Sequence, residues 1–304
     1  MDRIVVALGG NALMNPFGNQ DVSNERLNMD RISLDLIKLS KSCEMVITHG
    51  NGTQVGDEIN RNEHAKLEVP KLPLYLLNAE TQASIGSIIE LSLKNTANKL
   101  KIKSTISVIL AHVYVDKNDS AFKNPLKQVG PFYTKKELNN ELKMTKFNYI
   151  KVNNKYRMVV PSPKPKGILE IDAINSLIKK NIIITCGGGG IPIVPKNKSF
   201  IGMSAVIDKD RTSQLLANSI GANKLIILTN AEFVYSDYID KKSAIKSIKA
   251  SDLAKNLDNF ENGTIKPKIE SCINFIKNGG SKAYIGNIFK LNEILNGKSG
   301  TMIY

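Results

Sequence analysis

Glycine-rich turns recur in this chain, and each one comes directly after a short apolar run that is typical of a buried β-strand. Glycine has no Cβ, so the backbone N–H groups of such a turn can approach an anion closely. A helix that begins at the turn adds partial positive charge at the same point. The repetition predicts that several strand ends converge on a phosphate group. The three pairs of run and turn are Ile4–Leu8 with Gly9–Ala12, Met45–Thr48 with His49–Gly52, and Ile182–Cys186 with Gly187–Gly190.

Strand-like runs alternate with helical periodicity along most of the sequence. Residues 29–39, for example, place apolar side chains at helical spacing just before the second strand-like run. Such alternation is typical of a mainly parallel open sheet that lies between two layers of helices. We therefore expect an α/β fold, a three-layer α/β/α sandwich, with ligands beyond the carboxyl ends of its strands. The other predicted helices cover residues 79–93, 171–178, 215–220 and 269–276, and the other predicted strands cover residues 105–110, 224–228 and 283–285.

The alternation stops between about residues 113 and 166, where prolines, aromatic residues and lysines accumulate. We interpret this stretch as a small inserted lid subdomain. A disordered linker is the alternative, and the apolar content of the stretch disfavours it. Asn153 and Asn154 separate two strand-like runs, which predicts a β-hairpin.

The chain is strongly basic, with a net charge of +14 over 304 residues and a pI near 9.5. Such an excess attracts anions. Its lysines are spread along the chain, aromatic residues make up 6% and tryptophan is absent. A nucleic-acid-binding protein more often has a stripe of basic residues and aromatic side chains for stacking. The composition therefore favours small anionic substrates over nucleic acid.

Two further features concern the cellular compartment. Cys43, Cys186 and Cys272 are far apart and show neither disulfide nor zinc spacing, which predicts three reduced, buried thiols. No apolar run reaches the roughly 18 residues of a membrane helix, and the first residues lack the pattern of a signal peptide. We expect a cytoplasmic protein.

One charged segment stands out as a candidate for chemistry. Lys209 lies between Asp208 and Asp210, immediately before a helical pattern. Two flanking carboxylates can orient a lysine and keep it charged, so that it neutralises a phosphoryl group in transfer. The motifs of P-loop and Rossmann nucleotide sites are absent, and the histidines lack metal spacing. For His49, at a strand end, a structural hydrogen bond and a substrate contact both stay open.

Together these motifs resemble the carbamate kinases of the amino acid kinase superfamily, and the resemblance covers essentially the whole chain. Gly-Pro-Phe-Tyr at residues 130–133 and Pro-Ser-Pro-Lys-Pro at residues 161–165 are specific to carbamate kinases. Related kinases usually carry a lysine at the position of Ala7, and carbamate kinases supply that charge from the inserted subdomain, which here implies Lys127. The other matching segments are 7–13, 48–56, 121–125, 186–192, 205–210, 228–229, 267–268 and 300–301.

The resemblance implies an ATP-dependent phosphotransferase that exchanges a phosphoryl group reversibly between ATP and carbamate. It implies that Asp208 and Asp210 orient the transfer lysines, and it allows Asp208 near Mg²⁺, which the phosphates would otherwise hold. The lysines implied in transfer are Lys127, Lys209 and Lys268. The residues implied in holding the phosphoryl group and the acceptor are Gly9, Gly10, Asn11, Gly50, Asn51 and Gly52. The residues implied at the nucleotide are Thr229, Asn230, Tyr235, Asp237 and Lys268.

The resemblance also implies a homodimer and two lobes. Residues 1–221, with the insertion, would bind the acceptor, and residues 222–304 would bind ATP or ADP. Thr53, Glu80, Asn230 and Lys266 depart from the usual carbamate kinase pattern. They keep two alternatives open: a kinase of this fold that acts on another small carboxylate or phosphonate, and a non-catalytic metabolite sensor. The net charge motivates a nucleic-acid binder as a further, weaker alternative.

Overall fold

An eight-stranded sheet runs through the molecule. The computed structural model describes residues 1–9, 22–144, 147–179, 181–237, 243–260 and 265–304. The strands of this sheet are β1 (Asp2–Leu8), β2 (Cys43–His49), β3 (Thr105–Ile109), β9 (Asn181–Thr185), β12 (Lys224–Thr229), β15 (Ser247–Ile248), β16 (Lys282–Asn287) and β17 (Thr301–Ile303). The strand order is β15-β17-β16-β12-β1-β2-β9-β3, and all neighbours are parallel except β16 and β17.

The sheet separates two hydrophobic cores, and β1 shows why its strands are apolar throughout. Side chains alternate between the two faces of a strand. Val5 and Ala7 therefore belong to one core, whereas Ile4, Val6 and Leu8 belong to the other. A parallel strand that is covered on both faces needs an unbroken apolar run, which is what the sequence has here.

Helices cover both faces of the sheet. The first core contains side chains of α5, α6, α7 and α8, and the second contains side chains of α1, α3 and α9. The three-layer α/β/α sandwich predicted from the sequence is confirmed. The helices are α1 (Val22–Leu39), α2 (Gly52–His64), α3 (Leu74–Lys99), α4 (Lys135–Met144), α5 (Ile171–Leu177), α6 (Lys209–Ser219), α7 (Ala250–Lys255), α8 (Lys266–Lys277) and α9 (Leu291–Leu295).

Two smaller sheets lie in and around the stretch where the alternation stops. A four-stranded sheet has the order β11-β10-β4-β8, and a three-stranded antiparallel sheet has the order β5-β7-β6. The predicted hairpin at Asn153 and Asn154 is confirmed as the turn between β6 and β7, and Asn153 adopts a φ of 54° there. The strands are β4 (His112–Val115), β5 (Lys127–Tyr133), β6 (Asn148–Val152), β7 (Lys155–Val160), β8 (Pro165–Ile168), β10 (Ile191–Lys196) and β11 (Ser199–Gly202).

The insertion leaves and rejoins the rest of the chain at neighbouring strands. β4 and β8 pair antiparallel, so the three-stranded sheet between them begins and ends at one place. A short hairpin of β13 (Val234–Tyr235) and β14 (Ala244–Ile245) follows β12.

The three cysteines are free and buried, as the sequence predicts. Among the described residues, no helix combines the length and apolar character that crossing a membrane requires.

Candidate active site

The glycine-rich turns lie side by side at one edge of the main sheet. They follow β1, β2 and β9, which are consecutive in the strand order. Backbone hydrogen bonds tie the edge together: Gly9 N donates to Leu228 O over 2.9 Å, and Gly50 N donates to Leu8 O over 3.0 Å. Of the residues predicted for the first turn, Gly10 and Asn11 lie outside the described residues. The turns at Gly50 and Gly187 are neighbours, and their convergence on a phosphate group stays a prediction.

The second turn leads into α2, with Asn51 as the residue that precedes the helix. The Asn51 side chain is buried, and its amide Nδ2 donates to Thr81 Oγ1 over 2.9 Å and to Asn78 Oδ1 over 3.3 Å. Asn78 in turn donates to the carbonyl of Ala205 over 2.8 Å. The amide of Asn51 therefore fixes the turn to α3, and the helix start at Gly52 places backbone N–H groups at the sheet edge.

The third turn differs from the second because no α-helix begins at it. Gly187–Gly189 form a single 3₁₀ turn, and β10 follows directly. Gly188, Gly189 and Gly190 have φ values of 63°, 89° and 85°, which favour glycine. Gly187 packs against the second turn: a Cβ on it would lie 2.2 Å from His49 Nε2. The close contact between the two turns therefore depends on glycine.

Asp208 joins a helix start to the inserted sheet. Its Oδ1 caps α6 by accepting from the backbone N–H groups of Asp210 over 2.9 Å and Arg211 over 3.4 Å. Its other oxygen, Oδ2, accepts from Lys127 Nζ over 2.5 Å. Lys127 begins β5, 81 positions earlier in the chain. One carboxylate thus holds a lysine of the insertion at the N-terminus of α6.

Asp210 holds two other lysines by accepting hydrogen bonds from their ammonium groups. Lys209 Nζ donates to its Oδ1, and Lys268 Nζ, in the first turn of α8, donates to its Oδ2 over 3.0 Å. Lys209 and Asp210 are buried, and the Lys268 side chain is only 12% exposed. Three lysines and two aspartates therefore form one cluster with a formal charge of about +1 in a largely dehydrated setting.

The electrostatic balance keeps both carboxylates ionised. Burial opposes ionisation of Asp208, but Lys127, through its charge and hydrogen bond, together with the charges of Lys209 and Lys268, outweighs burial and lowers the pKa of this carboxyl. Burial likewise opposes ionisation of Asp210, and Lys209 with Lys268 lowers its pKa. Burial lowers the pKa of Lys209, whereas the ion pair with Asp210 outweighs burial at Lys268 and raises its pKa. A nearby anion would therefore help to keep Lys209 charged.

The residues predicted at the nucleotide follow β12. Thr229 ends this strand beside Asn287, whose Nδ2 donates to the carbonyl of Asn230 over 3.1 Å. Tyr235 lies in β13, and the N–H of Asp237 donates to Ser243 Oγ over 3.0 Å. Ser236, which lies between Tyr235 and Asp237 in the chain, lines a cavity of about 330 Å³. Its lining residues are Ser236, Ile245, Ile248, Leu253, Asn256, Asn259 and Phe260.

Sequence reasoning missed the polar residues that hold the turns in place. Asn78 and Thr81 occupy the buried face of α3 between apolar residues, and Thr48, Thr212 and Ser213 are buried near the cluster. A polar residue at an apolar position of a helical pattern is the signal that would have identified Asn78 and Thr81.

Among the described residues, no group of three or more histidine, cysteine or acidic side chains is arranged to hold a metal ion.

Comparison with known proteins settles the family. Residues 2–287 match the sequence profile of the amino acid kinase family. The chain belongs to the amino acid kinase family. Within this family, the carbamate kinase of Haemophilus influenzae is 38% identical over 303 residues, which cover 99% of this chain and 96% of that protein. The carbamate kinase of Thermoplasma acidophilum is 38% identical over 310 residues, with 100% and 99% covered.

Solved structures of the family agree with the sheet and helices described above. The carbamate kinase from Giardia lamblia bound to citric acid matches this chain with a TM-score of 0.93 at 32% identity, covering 99% of this chain and 98% of that one. The same enzyme bound to AMP-PNP matches with a TM-score of 0.89 at 32% identity and the same coverage. The resemblance to carbamate kinases inferred from the sequence motifs is confirmed.

Proposed function

We propose that this protein is a carbamate kinase that transfers a phosphoryl group reversibly between carbamoyl phosphate and ADP. In the direction of ATP formation, the bond between phosphorus and the carbamate oxygen breaks. A bond from phosphorus to a β-phosphate oxygen of ADP forms, which yields ATP and carbamate. The observation that carries the proposal is the cluster in which Lys127, Lys209 and Lys268 meet at Asp208 and Asp210.

The cluster suits phosphoryl transfer because this reaction needs position and charge neutralisation more than a covalent nucleophile. The three lysines would face the oxygens of the transferring group, where negative charge is spread in the transition state. Asp208 and Asp210 fix the lysines before substrate binds, so little reorganisation accompanies the reaction. The phosphoryl charge would favour the charged form of Lys209, whose pKa burial lowers.

The glycine-rich turns would hold the phosphoryl group and the acceptor. The N–H groups of Gly9 and Gly50 already donate to the carbonyls of Leu228 and Leu8, so we assign these two glycines to the close approach of substrate. We assign the N–H of Gly52, at the start of α2, to hydrogen bonding with the phosphoryl group, and we assign the same role to Gly10 and Asn11. The Asn51 side chain binds Thr81 and Asn78, so we assign Asn51 to substrate through its backbone. For His49, we favour the structural role, because its ring is buried and its Nδ1 lies 3.1 Å from the carbonyl of Gly50.

ADP or ATP would bind at the ends of β12 and β13, where Thr229, Asn230, Tyr235 and Asp237 lie. Ser236, between the last two, lines the cavity of about 330 Å³. Lys268 would reach the phosphates from α8. Mg²⁺ would arrive with the nucleotide and be held largely by phosphate oxygens. Asp208 and Asp210 each already form an ion pair with a lysine, which agrees with a Mg²⁺ ion held mainly by phosphate oxygens and not by these carboxylates.

Glu80, one of the four departures from the carbamate kinase pattern, does not favour another acceptor. Glu80 is exposed, whereas its neighbours Asn78 and Thr81 are buried against Asn51. Thr53 lies within α2 after the turn.

The proposal further includes a homodimer, a cytoplasmic location, a role in arginine metabolism, and the division into an acceptor lobe (1–221) and a nucleotide lobe (222–304). Light scattering of the purified protein tests the dimer.

A coupled assay for ATP formation from ADP, Mg²⁺ and carbamoyl phosphate tests the activity, corrected for the spontaneous breakdown of carbamoyl phosphate. The Lys209→Ala variant, purified identically, controls for contaminating kinases. We expect ATP formation by the unaltered protein and a large loss in the variant. ADP binding without turnover would favour a metabolite sensor, and ATP consumption only with another carboxylate or a phosphonate would replace the acceptor.

A further inference from the structure

We propose that Thr212 and Ser213 are positioning residues that hold Lys209 in a fixed place relative to two of the glycine-rich turns. The two side chains are adjacent on α6 and are called the hydroxyl pair below. Their placement rests on geometry alone, whereas their effect on turnover rests on the proposed kinase activity.

Ser213 connects the backbone of Lys209 to the second turn. Its Oγ donates to the carbonyl oxygen of Lys209 over 2.6 Å. The Thr48 hydroxyl lies 2.6 Å from the same Oγ. Because the single hydroxyl hydrogen of Ser213 is used on Lys209, Thr48 donates and Ser213 accepts. Thr48 is the residue before His49, so the carbonyl of Lys209 is linked in two steps to the end of β2.

Thr212 connects the same helix turn to the third glycine-rich turn. Its Oγ1 donates to the carbonyl oxygen of Gly189 over 3.0 Å, and Gly189 adopts a φ of 89°. The Thr212 N–H donates to the carbonyl of Asp208 over 3.0 Å, which is the first hydrogen bond of α6. The hydroxyl pair thus ties one helical turn to two neighbouring strand ends.

The burial of these hydroxyls argues for positioning. Thr48, Thr212 and Ser213 are all fully buried, and one turn later Leu216 and Ala217 fill the same face of α6 with apolar side chains. A buried hydroxyl costs free energy unless it is hydrogen-bonded, and the net gain of each bond is modest. Apolar residues would pack this face equally well. What hydroxyls add is direction, because they fix the distance from the helix backbone to each strand end.

Direction matters here because Lys209 lies one turn before the hydroxyl pair. A displacement of about 1 Å in a charge that acts on the reacting group can lower the rate by roughly 100-fold. Without the hydroxyl pair, α6 would still pack on the sheet through its apolar residues. The carbonyl of Lys209 would lose its link to β2, and the lysine could shift relative to the turns.

Ser213→Ala and Thr212→Val test the inference, with Thr212→Ser as the conservative variant. Ser33→Ala is the matched control, because Ser33 is fully buried in α1 and donates to the carbonyl of Met29 over 2.7 Å, the same bond four residues back. We expect kcat for ATP formation to fall about 10- to 100-fold in the two test variants. KM for ADP should change less than about twofold, Thr212→Ser should recover most of the activity, and Ser33→Ala should keep it.

A second measurement does not depend on activity. Acetylation of lysines by acetic anhydride, followed by peptide mass spectrometry, reports how accessible Lys209 is relative to exposed Lys277. We expect faster labelling of Lys209 in Ser213→Ala and Thr212→Val, but not in Ser33→Ala. Labelling and kcat that match the Ser33→Ala control would overturn the inference. Unaltered protein that forms no ATP would overturn the proposed function, while the labelling comparison still decides the placement of Lys209.

Discussion

Gly56 and Gly130 are in such close backbone contact that a Cβ added to Gly56 would lie 1.9 Å from the Cα of Gly130. Gly56 is in α2, and Gly130, with a φ of 72°, is in β5 at the irregularity in its pairing with β7. Arg157 Nε donates to the carbonyl of Gly130 over 2.9 Å. The strand that carries Lys127 is therefore docked by backbone contact on the helix that leaves the second glycine-rich turn.

Gly56→Ala should disturb both stability and activity. The added Cβ meets backbone atoms, which cannot rotate away, so we expect a loss of about 1–3 kcal/mol or more in the free energy of unfolding. Because β5 must move, Lys127 should separate from Asp208 and kcat should fall. Gly52→Ala is the matched stability control, since a Cβ there meets nothing within 4 Å. Equal unfolding free energies of the two variants in urea would contradict the docking contact.

Asp208→Asn should separate the two tasks of this side chain. Asparagine is as good a helix cap as aspartate, so α6 should keep its start. Asp208→Ala loses the cap as well and should be less stable than Asp208→Asn by about 1 kcal/mol. Both variants lose the charge that holds Lys127, so both should lose activity. Full activity of Asp208→Asn would show that the ion pair is not needed, and equal stability of the variants would argue against the cap.

Alanine in place of Lys127, Lys209 or Lys268 should lower kcat by about 100- to 1,000-fold, as the removal of other preorganised charges does. Lys277→Ala, on the exposed last turn of α8, should retain activity and controls for general effects of lost charge. Lys209 and Lys268 share Asp210, so their double variant should lose less than the two single losses combined. Strict additivity would indicate that the two lysines act independently.

His49 should make stability depend on pH. Burial lowers its pKa to about 4, and Lys209 adds to this, from the usual 6.5 that the unfolded chain retains. Between these values the unfolded chain binds more protons, so stability is full above pH 6.5 and falls as the pH drops towards 4. The loss is on the order of 3 kcal/mol. Urea unfolding between pH 4.5 and 7.5 should show this slope in the unaltered protein and in His64→Gln, but a smaller slope in His49→Gln.

Local patterns predicted the main sheet well, because each buried parallel strand needs an apolar run and the turn after it needs glycine. The run at residues 45–48, for example, corresponds to β2 at Cys43–His49. The strand is longer than the run by Cys43, Glu44 and His49, which the apolar pattern alone does not predict to be in it. The third turn shows the limit. Four consecutive glycines at 187–190 signal an unusual backbone, but whether a helix or a strand follows depends on packing against β4 and α6.

Pairings across long sequence separations could not be derived from local patterns. The salt bridge between Lys127 and Asp208 was implied only by the family resemblance, because no periodicity links an insertion to a helix start. Thr212 and Ser213 carry no signal of their own, since serine and threonine are common on helix surfaces. Gly56 appeared in the sequence only as part of the motif at residues 48–56, and its place in α2 and its contact with Gly130 follow from the tertiary structure alone.

The charge cluster draws on distant parts of the chain: Lys127 and Asp208 are 81 positions apart, and Asp210 and Lys268 are 58 apart. Contacts between such remote segments require the intervening loops to close, which costs conformational entropy that local contacts do not. A partly folded chain would therefore hold the lysines and aspartates apart, each still hydrated. Turnover is therefore a stricter test of folding than secondary-structure content, since it requires these distant segments to be assembled.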